Sequence, residues 1–189
     1  MRAEHSFFGF EAPKADGLFF ALLPDPDQAT QIERTAQQLC IRHRLSGTPL
    51  APERLHISLF GFGAYAGLPP ELVAAASDIA ARISVRPFDV TFDRALSFLG
   101  RPRPLVLCGG DGVTDLIAFQ RALGDAIEKR GLGRPKPQYM PHVTLLYDKH
   151  GIDPHEIEPV RWTVREFVLV HSLRGLSRYI PVGRWPLRD

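Results

Sequence analysis

Net charge is almost absent from this chain: 23 Lys and Arg stand against 21 Asp and Glu, leaving +2. That balance argues against a polyelectrolyte binder, although a sequence pI near 8.7 is compatible with a phosphate-bearing ligand. Cysteine is scarce. Cys40 and Cys108 lie far apart in apolar segments, and neither has a C-x-x-C partner. A disulfide framework is thereby excluded, and a reducing, cytoplasmic setting is expected in which both thiols act as small hydrophobes. Long apolar runs are missing as well. Leu18 to Leu23 is far shorter than the roughly 20 residues a membrane helix needs, and no secretory leader is legible.

What remains is an ordinary globular composition, 44% hydrophobic and 23% charged over 189 residues, which suits one compact body. Residues 1–16 mix Phe7, Phe8 and Phe10 with Pro13 and Lys14 without a sustained period and read as an N-terminal extension. From Gly17 the pattern becomes regular. Gly17–Leu23 predicts a buried strand, stopped by Pro24. Asp25, Pro26 and Gln28 then predict a capped helix start, with Ala29, Ile32, Ala36, Leu39 and Cys40 on one face. Leu55 to Phe60 predicts a strand ending in Gly61-Phe62-Gly63. Leu72 to Ile83 carries a helical period after Pro69-Pro70, and Phe88–Phe92 alternates as a strand.

A second half repeats that order. Leu105–Cys108 predicts a strand, Leu116 to Ile127 a helix ended by Gly131 and Gly133, and residues 142–145 another strand. Trp162–Val170 and Tyr179–Trp185 predict two closing strands, and the segment 150–158 reads as a solvated loop. The expected fold class is α+β: a bilobal, duplicated body of two antiparallel sheets with helices on their outer faces and a central cleft. Residues 17–189 are expected to form it as a single domain.

Two tetrapeptides carry the chemistry. His56-Ile57-Ser58-Leu59 and His142-Val143-Thr144-Leu145 each place a histidine and a hydroxyl one residue apart, followed by leucine. Strand alternation puts His56 and Ser58 on one face, with Ile57 and Leu59 in the core, and His142 and Thr144 repeat the arrangement. One histidine among apolar neighbours is most simply a packed residue. Two copies in matching contexts predict a pair of proton-transfer groups holding one phosphoryl group between them.

The other polar clusters read more plainly. His150, Asp153, His155 and Glu156 are a local group that a metal hydrolase would use, but no thiolate ligands accompany them, and a solvated loop explains them as well. No metal or other cofactor is therefore expected. His171 lies on an alternating strand that faces either the cleft or the surface. Gly109-Gly110-Asp111-Gly112 lacks the G-x-x-x-x-G-K-[ST] spacing and predicts a strand-to-helix turn. Lys136, Tyr139 and Tyr147 flank the second motif with a charge and stacking surfaces.

The paired motifs resemble the duplicated H-x-[ST]-x signature of the two-histidine (2H) phosphoesterase superfamily, in particular its LigT-like branch of RNA 2′,3′-cyclic phosphodiesterases, also called 2′-5′ RNA ligases. Leu18 to Leu22, Arg54-Leu55, Pro141 and Ser172-Leu173 are similar to the family as well. The resemblance implies His56 and His142 as the catalytic pair, with Ser58 and Thr144 binding phosphate. It implies metal-independent opening of an RNA 2′,3′-cyclic phosphate to a 2′-phosphomonoester, with reversible 2′-5′ RNA ligation beside it, and it names no cofactor. The implied partners are RNA ends or nucleotides, with no membrane and no obligate protein. Tyr147 departs from the pattern, standing where a basic residue often follows the second motif, so any guanidinium that steadies the phosphate must come from elsewhere, with Arg54, Arg103 and Arg174 as candidates. Three readings compete: a phosphodiesterase for small cyclic nucleotides, one for ADP-ribose cyclic phosphate, and an RNA-end binding module without turnover.

Overall fold

A computed structural model describes residues 15–173, 176 and 178–188. The elements are β1 (Asp16–Leu22), α1 (Pro26–His43), β2 (Ile57–Tyr65), α2 (Pro70–Ala80), β3 (Phe88–Ser97), β4 (Arg103–Cys108), α3 (Thr114–Lys129), β5 (His142–Asp148), β6 (His155–Val164), β7 (Glu166–Leu173) and β8 (Arg178–Pro186). They build an α+β fold of two four-stranded antiparallel sheets, ordered β2-β1-β7-β8 and β5-β4-β3-β6. Both motif strands, β2 and β5, are edge strands, and these two edges approach each other. The extension read at residues 1–16 falls almost wholly outside the described residues, and β1 begins at Asp16.

β1 explains its own apolar run. Leu18, Phe20 and Leu22 enter the main core, whereas Ala21 packs with Val168 and Val170 on the opposite face, where Phe19 and Leu23 join them. A strand covered on both faces needs no polar alternation. Phe20 anchors the core through edge contacts with Phe62 and Trp185 and a tilted contact with Phe167. That core is continuous across both sheets and all three helices.

In α1 the stripe Ala29, Ile32, Ala36 and Leu39 is buried, and Cys40 is half-buried at its border. Asp25 occupies the N-cap position, but its side chain makes no capping bond, so the expected box with Gln28 is not formed. Pro26 starts the helix instead, its fixed φ suiting the first turn, while the Asp25 carbonyl accepts the Ala29 amide at 2.8 Å.

Three sequence-derived boundaries are corrected. His56 precedes β2 rather than lying within it, and β2 continues through Gly61-Phe62-Gly63 to Tyr65. Two register shifts against β1 absorb the extra length, and Gly63 takes the φ of 115° that such an irregularity uses. The segment 150–158 is a loop only as far as Pro154, because His155 and Glu156 pair with Ala95 and Arg94. Trp162–Val170 is not one strand. Arg165 separates β6 from β7, which belong to different sheets.

The two halves of the sequence are therefore not the two lobes. β3, from the first half, pairs with β4 and β6 in the second sheet, and β7 and β8 return to complete the first. The chain crosses between sheets twice, which places β1-β2 and β4-β5 as equivalent antiparallel pairs, each joined through a helix, facing one cleft.

Candidate active site

Each histidine is held the same way. His56 Nδ1 lies 2.8 Å from the Arg54 carbonyl oxygen, and His142 Nδ1 lies 2.8 Å from that of Met140. A carbonyl can only accept, so Nδ1 carries the proton, and a neutral ring then presents a basic Nε2. In both motifs the accepting carbonyl is two residues upstream, a local geometry the repeated sequence reproduces. His56 Nε2 is 3.1 Å from Ser58 Oγ, the strand neighbour on the same face.

Aromatic rings fix the imidazoles laterally. Phe19 and Tyr179 sit 5.1 Å from His56, and Phe98 sits 5.0 Å from His142, edge to face. The Arg54 guanidinium lies 5.4 Å above the Tyr179 ring. Its Nε is buried with no partner, leaving a charged donor unsatisfied in the cleft wall. Burial pushes the His56 imidazole below its ordinary 6.5. The hydrogen bond to Arg54 opposes this, while the nearby His142 and Arg54 charges reinforce it.

The cleft between the sheets measures about 830 Å³. His56, His142, Ser58, Arg54 and Tyr147 all line it, with Lys136 and Tyr139 from the approach to β5. Thr144 is half-buried on β5 beside Val106 and is not among the described lining residues. Of the two candidate guanidiniums among the described residues, Arg54 is brought to the cleft and Arg103 is not. Arg103 lies instead beside Gly151 and Ser97, and Arg174 lies outside the described residues.

The remaining polar clusters are placed elsewhere. His171 Nε2 pairs with Asp16 at 2.9 Å. His150 Nδ1 lies 3.5 Å from Asp148, and the His155 ring packs on His43 at 4.9 Å. Among the described residues, no group of three or more His, Cys, Asp or Glu side chains is arranged to hold a metal ion. The glycine-rich turn serves packing, since a Cβ at Gly109 would stand 2.3 Å from the Thr91 carbonyl oxygen. Cys108 is buried, and burial pushes its thiol up to about 11. No helix among the described residues is long and apolar enough to cross a membrane.

Sequence reasoning missed Asp148, which is only 3% exposed. Its carboxylate accepts the amides of Ser46 and Gly47, each at 2.6 Å, and that of His150 at 2.8 Å. The loop it grips leads to the first motif, and Leu50 continues the attachment by donating to the Leu145 carbonyl at 2.7 Å. Gly47 is required there, because a Cβ would stand 2.3 Å from the Tyr147 carbonyl oxygen. Asp148 thus ties the approach to His56 onto the strand that carries His142.

The His150 amide, with those of Gly47 and Ser46, draws the Asp148 carboxyl down to about 2 from 3.8, against the opposing effect of burial. A depressed folded-state value contributes stability that is fully present above the unfolded value and is lost as pH falls through the folded one. Asp148→Asn is therefore expected to lower the denaturant midpoint at neutral pH and to flatten the loss of stability between pH 3.8 and about 2. Parallel losses in variant and wild type across that window would show that the carboxylate is not the clamp.

Two antiparallel sheets meeting at edges that each carry an anchored imidazole are the architecture of a two-histidine phosphoesterase. A profile for the 2′-5′ RNA ligase superfamily matches residues 24–176, and the chain belongs to that superfamily. Among solved structures it is similar to Escherichia coli LigT in its apo form, with 29% identity and a TM-score of 0.71 over 94% of this chain and 100% of LigT. A structure described as a phosphoesterase is 29% identical, with a TM-score of 0.70 over 92% and 99% of the two chains. LigT complexed with 3′-AMP aligns at 29% identity and a TM-score of 0.68 over 94% and 100%. A search of curated protein sequences gave no significant match.

Proposed function

We propose that this protein opens RNA 2′,3′-cyclic phosphate ends to 2′-phosphomonoesters by paired histidine acid and base catalysis. The observation that carries this reading is the twofold anchoring: two imidazoles, each fixed through Nδ1 to a carbonyl, in the wall of one cleft. That a LigT structure holds 3′-AMP, a nucleoside monophosphate, supports a nucleotide in the equivalent cleft.

In this reading the cyclic phosphate lies between His56 and His142. Water attacks phosphorus as His142 Nε2 takes its proton, the bond to the ribose 3′ oxygen breaks, and His56 gives that oxygen a proton. Ser58 donates to one non-bridging oxygen from the cleft wall, Thr144 to the other from the face of β5 that it shares with His142, and Arg54 supplies the positive charge that Tyr147 does not. Ser58 bonds His56 in the resting site, and protonation of His56 frees the hydroxyl for phosphate. An RNA 5′-hydroxyl in place of water as the nucleophile opens the same ring into a 2′-5′ linkage, and the far greater abundance of water makes hydrolysis dominant. None of these steps calls for a metal.

The pH dependence of kcat/KM tests the pair, because it reports the acid and base of the free enzyme. One group must be protonated and the other neutral, so the profile is a bell. The lowered His56 shifts one limb of the bell toward acid. A monotonic profile, or an optimum well above neutrality, would contradict paired histidines.

A further inference from the structure

Gly61 lies beside a register shift of β2 against β1, yet its own backbone conformation does not demand glycine. It lies in β2, where glycine weakens a strand, and its φ is not in the left-handed region. A Cβ there would meet nothing within 4 Å, in contrast to Gly47 and Gly109, where one would strike backbone. Gly61 lines the cleft and is exposed. Glycine in a strand marks a bulge or the close approach of something from outside, and the open space above Gly61 in the cleft wall favours the approach.

The surroundings say what approaches. Ser58 and Gly61 stand opposite Ala21 and Phe19, two residues apart on β1, so they are separated by about 7 Å along one face. Phe19, half-buried, offers a ring beside Gly61. Along the other side runs the segment 134–138, held at both ends. Gly133 packs on Phe60, so that a Cβ there would stand 3.0 Å from the ring, and Tyr139 donates its hydroxyl to the Ser58 carbonyl at 3.0 Å. Exposed Arg134 and Lys136 are thereby set beside the Ser58–Gly61 stretch and line the cleft. Arg134 has a 3.5 Å contact with Glu128 at the surface.

We infer that this trough, floored by Gly61 and walled by Phe19 on one side and Arg134 and Lys136 on the other, is a subsite for the nucleotide 5′ to the cyclic phosphate. The inference rests on the phosphodiesterase reading of the adjoining histidines. A bare backbone floor admits the ribose, the ring stacks a base without choosing its identity, and the two cations meet the connecting phosphodiester. The subsite makes the protein an enzyme of RNA chains in preference to cyclic mononucleotides.

The test compares kcat/KM for a 2′,3′-cyclic mononucleotide and for a dinucleotide ending in the same cyclic phosphate. Wild type is expected to favour the dinucleotide about tenfold, the scale of one stacked base. Its dependence on log salt should be steeper by about 0.7, the increment for one further neutralised phosphate on a single strand. In Gly61→Val, and separately in the Arg134→Ala, Lys136→Ala double variant, the ratio should fall to within about twofold of one, with thermal unfolding confirming that each protein folds. Equal efficiencies in wild type, or an unchanged ratio in the folded variants, would overturn the subsite. Affinity for a dinucleoside phosphate against a mononucleotide separates the two readings. Tighter dinucleotide binding that Gly61→Val abolishes, without turnover of either substrate, upholds the subsite and discards the phosphodiesterase. Equal affinity discards the subsite whatever the turnover.

Discussion

His56→Ala and His142→Ala should each lower kcat on a 2′,3′-cyclic phosphate by about 10²–10⁴-fold, the usual contribution of one positioned proton-transfer group. Neither ring is part of the continuous apolar core, so both variants should retain the wild-type circular dichroism spectrum and a cooperative unfolding transition. The double variant should lose much less than the product of the single losses, because acid and base act on one transition state and the second removal finds little left to disable. Single-turnover rates at saturating substrate are the appropriate measure, since they separate chemistry from product release. Rates within about tenfold of wild type for both single variants would remove the pair from the mechanism.

Arg54→Ala should reduce kcat/KM by about 10²–10³-fold, the range for losing one preorganised donor to a developing oxyanion. The reason lies in a substitution elsewhere. Tyr147 lines the cleft and is 50% exposed, at the position where the resemblance leads one to expect a basic residue. Arg54 presents a guanidinium in the same cleft wall, stacked on Tyr179 with its Nε unsatisfied. Tyr147→Arg in the Arg54→Ala background should therefore recover at least about tenfold of the loss, because a planar fork of donors returns to the same cleft. Recovery with Tyr147→Arg but not with Tyr147→Lys would show that two-point contact matters as well as charge. Loss at Arg54 without any recovery would place the role of its side chain in stacking on Tyr179, the ring that packs against His56.

Local pattern carried the sequence reading furthest where structure is local. Alternation across the motifs, the apolar stripes of α1 and α3, and the tight turn at Gly109 are all found in place. Strand pairing is not local, and the exchange of β3 with β7 and β8 between sheets has no signature in one segment read alone. One signal was available at Arg165. The alternation of Trp162 and Val164 meets two consecutive charged residues, Arg165-Glu166, and gives way to an apolar run, Phe167–Val170, that is buried at every position.

The site divides in the same way. The histidines and Ser58 were legible because they are repeated. Phe19 and Tyr179 look like packing residues until β1 and β8 bring them to His56. Asp148 looks like a solvated acid because the amides it holds, at Ser46 and Gly47, lie far away in the chain. Burial of a charge becomes visible only with its partners, and here the partners are backbone groups that every residue carries.

The most direct test of the central claim is to incubate the protein with an oligoribonucleotide ending in a 2′,3′-cyclic phosphate, in excess EDTA, and to identify the phosphate isomer at the product end. Paired histidine catalysis with His56 as the acid to the 3′ oxygen predicts a terminal 2′-phosphate from wild type and almost none from His142→Ala. An intact cyclic end after prolonged incubation, or opening that stops in the chelator and returns with a divalent metal, would contradict it.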